Sequence, residues 1–275
     1  MNVTEFWTGH TVRDEPFRSV AESLAFLQWR SDEYPLFHEL MGLWGDHAGQ
    51  TILDYGCGPA NDMVGLLTYS GATRVVGADV SERALDLARR RLDLHGFDAS
   101  LVRVSDPEPA IPLDTGSIDF VHCLGVLQHV SYPAAILAEF VRVLRPGGEA
   151  RIMVYNRASL WWHLYVPWQR QLLDGHDADL PIEEAFRRST DTESCPISRA
   201  YEPREFVRLC ADAGLQAEFL GGYFAGVELD VWRRYAPDTR LAPEHRRFLA
   251  ALEGSPPMYR QHYAGIGGVY RAVRA

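Results

Sequence analysis

Residues 52–62 read ILDYGCGPAND, and their pattern decides the fold. Residues 51–55 have the apolar character of a strand, with Asp54 near its end; Gly56 and Gly58 follow as a turn, and a helix starts near Asp62. Glycine adopts backbone conformations barred to other residues and lets a ligand come close to the main chain. Working outward, residues 74–78 form a second strand. Ser81 caps a helix that Gly96 closes. Residues 99–104 and 118–123 are the third and fourth strands. A helix over residues 133–144 stops at the turn Arg145-Pro146-Gly147-Gly148, and residues 150–155 are a fifth strand. Strands alternating with helices at this spacing predict βαβ units and a mainly parallel sheet.

Upstream, the apolar spacing of residues 17–44 predicts helices, broken at Pro35. Downstream the regularity lapses until a helix at residues 203–213, closed by Gly214. A strand follows at 215–223, and a last one at 266–273. The expected organisation is a helical cap over residues 1–48 and a sheet domain over 49–275, with insertions at about 156–202 and 224–263.

The chain has 275 residues, 47% of them hydrophobic, and a formal net charge of −10. A sizeable core is affordable, and the acidic balance argues against nucleic acid as the main partner. All 27 basic residues are Arg, which excludes a Schiff-base lysine and a phosphate-loop lysine. Cys57, Cys123, Cys195 and Cys210 form no CxxC pair, so neither a metal site nor a disulfide framework is expected. No secretory leader and no run of about 18 apolar residues is visible, so the expected location is cytoplasmic, without a membrane span. A monomer or homodimer is expected.

Alone, Gly-x-Gly says only nucleotide. Asp54 suits a ligand with an ammonium group, whereas a pyrophosphate would be repelled there. The third glycine of a dinucleotide fingerprint would fall at Asn61. Asp79, ending the second strand, is placed to hold ribose hydroxyls. The segments ILDYGCGPAND, VVGADVSERALDLAR, VSDPEPAIPLDTGSIDFVHCLGVLQHV and VLRPGG resemble, in order and spacing, the motifs of class I S-adenosylmethionine-dependent methyltransferases. They are most similar to the branch of the ubiquinone and menaquinone methyltransferases.

The resemblance implies a Rossmann-like α/β fold, with a seven-stranded, mainly parallel sheet whose last strand is antiparallel. It also implies S-adenosylmethionine as cofactor. By the same resemblance Gly56, Cys57 and Gly58 shape the turn beside the methionine moiety, and Asp54 holds its ammonium. Asp79 holds the ribose, and Val80 lies against the adenine. Asp106, with Ser105 beside it, accepts from the adenine amino group. Leu124 and Gly125 run along the methionine arm. The family's third glycine is Ala60 here. Arg30, on the cap, is a candidate partner for the methionine carboxylate, with Trp29 or Tyr34 packed nearby.

His129, in VLQHV after the fourth strand, is the candidate base, its ordinary pKa near 6.5 suiting neutral pH. Tyr155 and Asn156 end the fifth strand at the ligand-binding edge; Tyr155 is a catalytic candidate and Asn156 a substrate contact. Trp161, Trp162, His163, Tyr165 and Trp168 are the candidates for a lid over the substrate, of which one or two are expected to serve, with Trp162 taken as a substrate contact. Arg199 and Tyr201 are candidate contacts for an anionic acceptor group. The expected function is methyl transfer to an oxygen or carbon of a small organic metabolite, such as a specialised natural product, by in-line displacement. The alternative is an S-adenosylmethionine-binding protein that catalyses rearrangement or cyclisation, or serves as an accessory subunit.

Overall fold

The computed structural model describes residues 2–13, 15–106 and 108–275. Its centre is a sheet of eight strands. Strands β1 (Thr51–Tyr55), β2 (Arg74–Asp79), β3 (Ser100–Arg103), β4 (Ile118–Leu124) and β5 (Leu144–Asn156) pair in parallel in the order 3-2-1-4-5. Two-residue β6 (Ala200–Tyr201) pairs with the end of β5, and β7 (Leu215–Tyr223) forms the far edge. A separate hairpin joins β8 (Met258–Tyr259) to β9 (His262–Tyr263). The last strand, β10 (Gly267–Arg274), runs antiparallel between β5 and β7. The expected seven strands are all present; β6 is the addition. The expected turn at Arg145–Gly148 lies instead within β5, and the β4–β5 register shifts between Ile118 and Phe120 to absorb it.

Side-chain alternation explains why this sheet is buried on both faces. Leu53, Val121, Ile152 and Val154 belong to one core with Phe140, Phe206 and Tyr270. Their sequence neighbours Ile52, Phe120 and Met153 belong to the opposite core with Met63, Leu85 and Val269. Helices α4 (Asn61–Tyr69) and α5 (Glu82–His95) cover the second face, and α6 (Pro133–Val143) and α8 (Pro203–Ala213) the first. Ser81 Oγ accepts from the Ala84 N–H at 3.1 Å, and Gly96 closes α5 at φ 69°, both as the sequence predicts.

The cap consists of α1 (Val3–Gly9), α2 (Val20–Glu33) and α3 (Phe37–Met41), with the break at Pro35 where expected. Helix α1 is an addition, nucleated by a reciprocal cap between Asn2 and Glu5. The stretch after β5 is regular rather than irregular: a π-type helix, Trp161–Leu173, leads to α7 (Ile182–Asp191). The second insertion contributes α9 (Gly226–Arg234) and α10 (Pro243–Ala250). The two insertions share one core, in which Leu164 and Trp168 meet Val231, Phe248 and Leu249. Glu228 ties them together: its carboxylate accepts the backbone N–H groups of Trp161, Ala225 and Ile266. Burial nonetheless pushes that carboxyl up to about 8. Among the described residues, no helix is long and apolar enough to cross a membrane.

Candidate functional site

Connections leave β1 and β4 in opposite directions across the sheet, and the crevice at such a switch point is where open α/β sheets bind ligands. A cavity of about 420 Å³ opens there, within the roughly 300–1,000 Å³ range of small-molecule sites. Its wall includes Gly56, Cys57 and Gly58 after β1, Asp79 and Val80 after β2, and Asp106 after β3. Leu124, Gly125 and His129 follow β4, and Tyr155 lies on β5.

The glycines of the turn have separate reasons. Gly56 sits at φ +80°, and a Cβ there would lie 2.1 Å from Val126 Cγ2. Gly58 sits at φ +51°, with open space where a Cβ would point, and its N–H donates to Asp79 Oδ2 at 2.9 Å. Asp79 Oδ1 accepts from the Ser81 N–H at 2.8 Å, so the carboxylate is fixed in the cavity wall. Ala60 adopts φ 60°, a left-handed conformation that costs a non-glycine residue roughly 1–2 kcal/mol.

Behind the turn lies a buried charge network. Asp54 is 2% exposed, and its Oδ2 has no hydrogen-bond partner. Burial pushes its carboxyl up to about 7, with His122 pulling down and Asp62 pushing further up. Arg30 Nη1 donates to Asp62 Oδ1 at 2.6 Å, and His122 Nε2 lies 3.0 Å from Asp62 Oδ2. Burial alone would raise the Asp62 carboxyl, but Arg30 and His122 together hold it well below the usual carboxylate range. Arg30 therefore lines the cavity as expected, but Asp62 already holds one of its nitrogens. Tyr34 lines the wall beside it, whereas Trp29 is 51% exposed.

Asn61, in place of a glycine, accepts from Arg91 Nη1 at 2.5 Å. The same buried guanidinium donates to Ser23 Oγ and to the Ser23 carbonyl. Asn61 thus docks the cap onto the sheet domain, a role that needs a side chain.

At the far end, His129 is buried among groups from other segments. His129 Nδ1 lies 2.8 Å from the Ile197 carbonyl, and its Nε2 lies 3.5 Å from Asp191 Oδ1. The Tyr155 hydroxyl donates to the same Asp191 oxygen at 3.0 Å, and Ser198 Oγ donates to Asp191 Oδ2 at 3.0 Å. Trp7 packs edge-on against the His129 ring with centroids 4.9 Å apart. Burial holds His129 below the ordinary histidine range, although Asp191 pulls the other way. Asp191, Trp7 and Gln128 belong to this wall, and sequence reasoning missed all three. Gln128 alone had a local signal, since it precedes His129 in the same turn.

Several expected residues lie elsewhere. Asn156 is buried outside the cavity wall, its amide spent on the Ala158 and Gly265 carbonyls and the Ala158 N–H. Trp162 packs against Phe186 in the core; of the aromatic lid candidates, Trp161 lines the cavity. Arg199 donates to the Val130 carbonyl at 2.7 Å, and Tyr201 packs against Phe206. Ser105 is exposed, and both oxygens of Asp106 accept from Ser131, at 2.9 and 2.5 Å. Although no metal spacing was expected, His129, Asp191 and Cys195 bring ligand-type atoms within 4.8 Å of one another. His129 Nδ1 and Cys195 Sγ both turn to the Ile197 carbonyl.

Comparison with known proteins bears on the family and the fold. Residues 53–152 match the family described as a methyltransferase domain. The ubiquinone biosynthesis O-methyltransferase of Thiobacillus denitrificans is 32% identical over 204 residues, which cover 70% of this chain and 78% of that protein. An uncharacterised 37.1 kDa protein in transposon TN4556 of Streptomyces fradiae is 35% identical over 167 residues; the match covers 60% of this chain but only 43% of that longer protein. Among solved structures, a SAM-dependent methyltransferase from Thermotoga maritima covers the whole of both chains with a TM-score of 0.56 at 15% identity, a likeness of fold. A relative matched over most of its length, on a sheet whose glycine turn opens into a cavity at the switch point, settles the family: the chain belongs to the class I S-adenosylmethionine-dependent methyltransferases.

Proposed function

We propose that the enzyme methylates a hydroxyl oxygen of a small organic metabolite, with His129 as the base. One observation carries this reading. The Ile197 carbonyl can only accept, so His129 Nδ1 holds the ring proton, and Nε2 of the neutral ring presents a lone pair. That lone pair faces Asp191 Oδ1 at 3.5 Å, where the oxygen already accepts from Tyr155. Two acceptors opposed across a cavity wall call for a donor from a ligand, and an acceptor hydroxyl supplies one.

The turn residues fit the cofactor. Asp54 Oδ2, buried without a partner behind the turn, matches an ammonium reached directly or through water. Gly58 leaves open the space a side chain would fill, and Asp79 presents a fixed carboxylate where ribose hydroxyls are expected. When bound, S-adenosylmethionine supplies a sulfonium methyl group open to in-line displacement. His129 Nε2 takes the hydroxyl proton, and Asp191 steadies the resulting imidazolium. Tyr155 holds Asp191 in place. Trp7 and Trp161 exclude water and orient a planar acceptor. Among the described residues of the wall, Arg30 is the one lasting cation and is held by Asp62, while Asp79, Asp106 and Asp191 add carboxylates, so an uncharged acceptor is favoured.

The test is transfer of labelled methyl to hydroxylated metabolites, with tRNA and rRNA in parallel. Label appearing only in RNA overturns the acceptor class. With an acceptor in hand, His129→Ala is expected to lower kcat by about 10²–10⁴-fold and leave S-adenosylhomocysteine affinity unchanged. Wild-type kcat retained in that variant removes His129 as the base.

A further inference from the structure

Gln128 is fully buried and lines the cavity, yet neither its Oε1 nor its Nε2 has a hydrogen-bond partner. Its main chain is pinned, since the Gln128 carbonyl accepts from the Arg199 N–H at 3.1 Å. Its amide lies beside the Tyr155 phenol, and that phenol gives its proton to Asp191. A Cβ at Gly125 would sit 3.6 Å from Gln128 Nε2, an ordinary contact distance, so the amide packs beside the bare Gly125 backbone. Buried polar atoms in folded proteins are almost always paired. Here both atoms of one amide are unpaired, on a residue that lines a ligand cavity.

A primary amide offers a donor and an acceptor side by side. Its complement is a ligand edge carrying an acceptor and a donor side by side, as a carboxamide does. A carboxylate would offer two acceptors and a charge, in a wall whose described carboxylates Asp62, Asp79, Asp106 and Asp191 outweigh Arg30, already paired with Asp62. The His129–Asp191 pair next to Gln128 asks for a hydroxyl donor, and the Tyr155 ring touches both sites, its centroid 5.5 Å from that of His129. We infer that Gln128 is a specificity-determining residue, and that the acceptor is an uncharged hydroxyaryl compound with a carboxamide-type edge next to its hydroxyl. This rests on the reading of His129 as the hydroxyl-binding base.

The test uses the full chain loaded with S-adenosylhomocysteine and three probes: phenol, 2-hydroxybenzamide and 2-hydroxybenzoate. Binding is followed by ligand-observed NMR titration, for wild type, Gln128→Leu and His129→Ala. In wild type, 2-hydroxybenzamide is expected to bind about tenfold more tightly than either other probe. Gln128→Leu is expected to abolish that preference, leaving phenol and S-adenosylhomocysteine affinity within about twofold of wild type. A wild-type enzyme that binds the amide no better than phenol, or binds none of the three, overturns the inference. So does a preference that survives Gln128→Leu. If phenol binds and His129→Ala releases it while the amide preference is absent, the base reading stands and only the assignment of Gln128 falls.

Discussion

Replacing Gly56 with alanine tests the turn most sharply, because two separable costs fall on one atom. At φ +80° a Cβ carries left-handed strain, worth roughly 1–2 kcal/mol. The new atom would also stand 2.1 Å from Val126 Cγ2 and 3.3 Å from Val126 Cβ and Cγ1. Relieving that overlap means moving the turn or the loop after β4, an overpacking cost of about 1–3 kcal/mol. The sum, about 2–5 kcal/mol, is a large part of the 5–15 kcal/mol typical of a whole domain. Gly58→Ala is the internal control: its φ is also positive, but no atom lies within 4 Å of the new Cβ, so only the strain remains. Urea unfolding of Gly56→Ala, Gly58→Ala, Val126→Ala and the Gly56→Ala/Val126→Ala double variant separates the terms. Gly56→Ala should be the less stable glycine variant, and Val126→Ala should relieve it with a coupling of about 1 kcal/mol or more. S-adenosylhomocysteine affinity should fall in Gly56→Ala, since Gly56 and Val126 both face the cavity. Equal stability of the two glycine variants, or no relief from Val126→Ala, refutes the close approach of these two loops.

Removing either partner of the buried Arg30–Asp62 pair should cost about 3–5 kcal/mol in chemical unfolding, and Arg30→Leu with Asp62→Leu together should cost less than the sum. The Asp54 carboxyl, raised to about 7 by burial, holds its proton more tightly folded than unfolded. Its contribution to stability is thus fully present below its ordinary value near 3.8 and is lost as pH rises through 7. Binding an ammonium needs the ionised form, so S-adenosylhomocysteine affinity should rise by up to about tenfold from pH 6 to 7, and Asp54→Asn should flatten that slope in calorimetry. Trp161→Ala should weaken acceptor binding at nearly wild-type Tm, whereas Trp162→Ala, which empties a core site against Phe186, should cost about 3–5 kcal/mol in unfolding.

The sheet was legible because its signals are local. Apolar runs of strand length begin at Thr51, and Ser81 and Gly96 mark the ends of a helix that forms between them. The turn at Arg145–Gly148 misled because β-structure can carry Pro and Gly where its register shifts. The helix Trp161–Leu173 was hidden for two reasons. Hydrogen bonding of π type moves its apolar period away from that of an α-helix, and Pro167 stands inside it as an apparent breaker. Helix α1, at seven residues, is too short to show a period. The site divides the same way. Its turn side is built from the ends of two successive strands, each with a local signal, so Gly56, Gly58 and Asp79 stood out as candidates. Its far side is assembled in space: 36 residues separate Tyr155 from Asp191, and 68 separate His129 from Ile197. Nothing in either segment announces the other. Arg199 and Tyr201 looked like ligand contacts because polar and aromatic residues cluster there, but backbone and core contacts use them.

The central claim is that the cavity at the switch point holds S-adenosylmethionine through the glycine turn and Asp79. Isothermal titration with S-adenosylhomocysteine and with NAD, on wild type and Asp79→Ala, tests it most directly. The expected result is one S-adenosylhomocysteine per chain, an affinity lowered by about tenfold or more in Asp79→Ala, and no heat from NAD. Binding of NAD in preference, or unchanged S-adenosylhomocysteine affinity in Asp79→Ala, contradicts it.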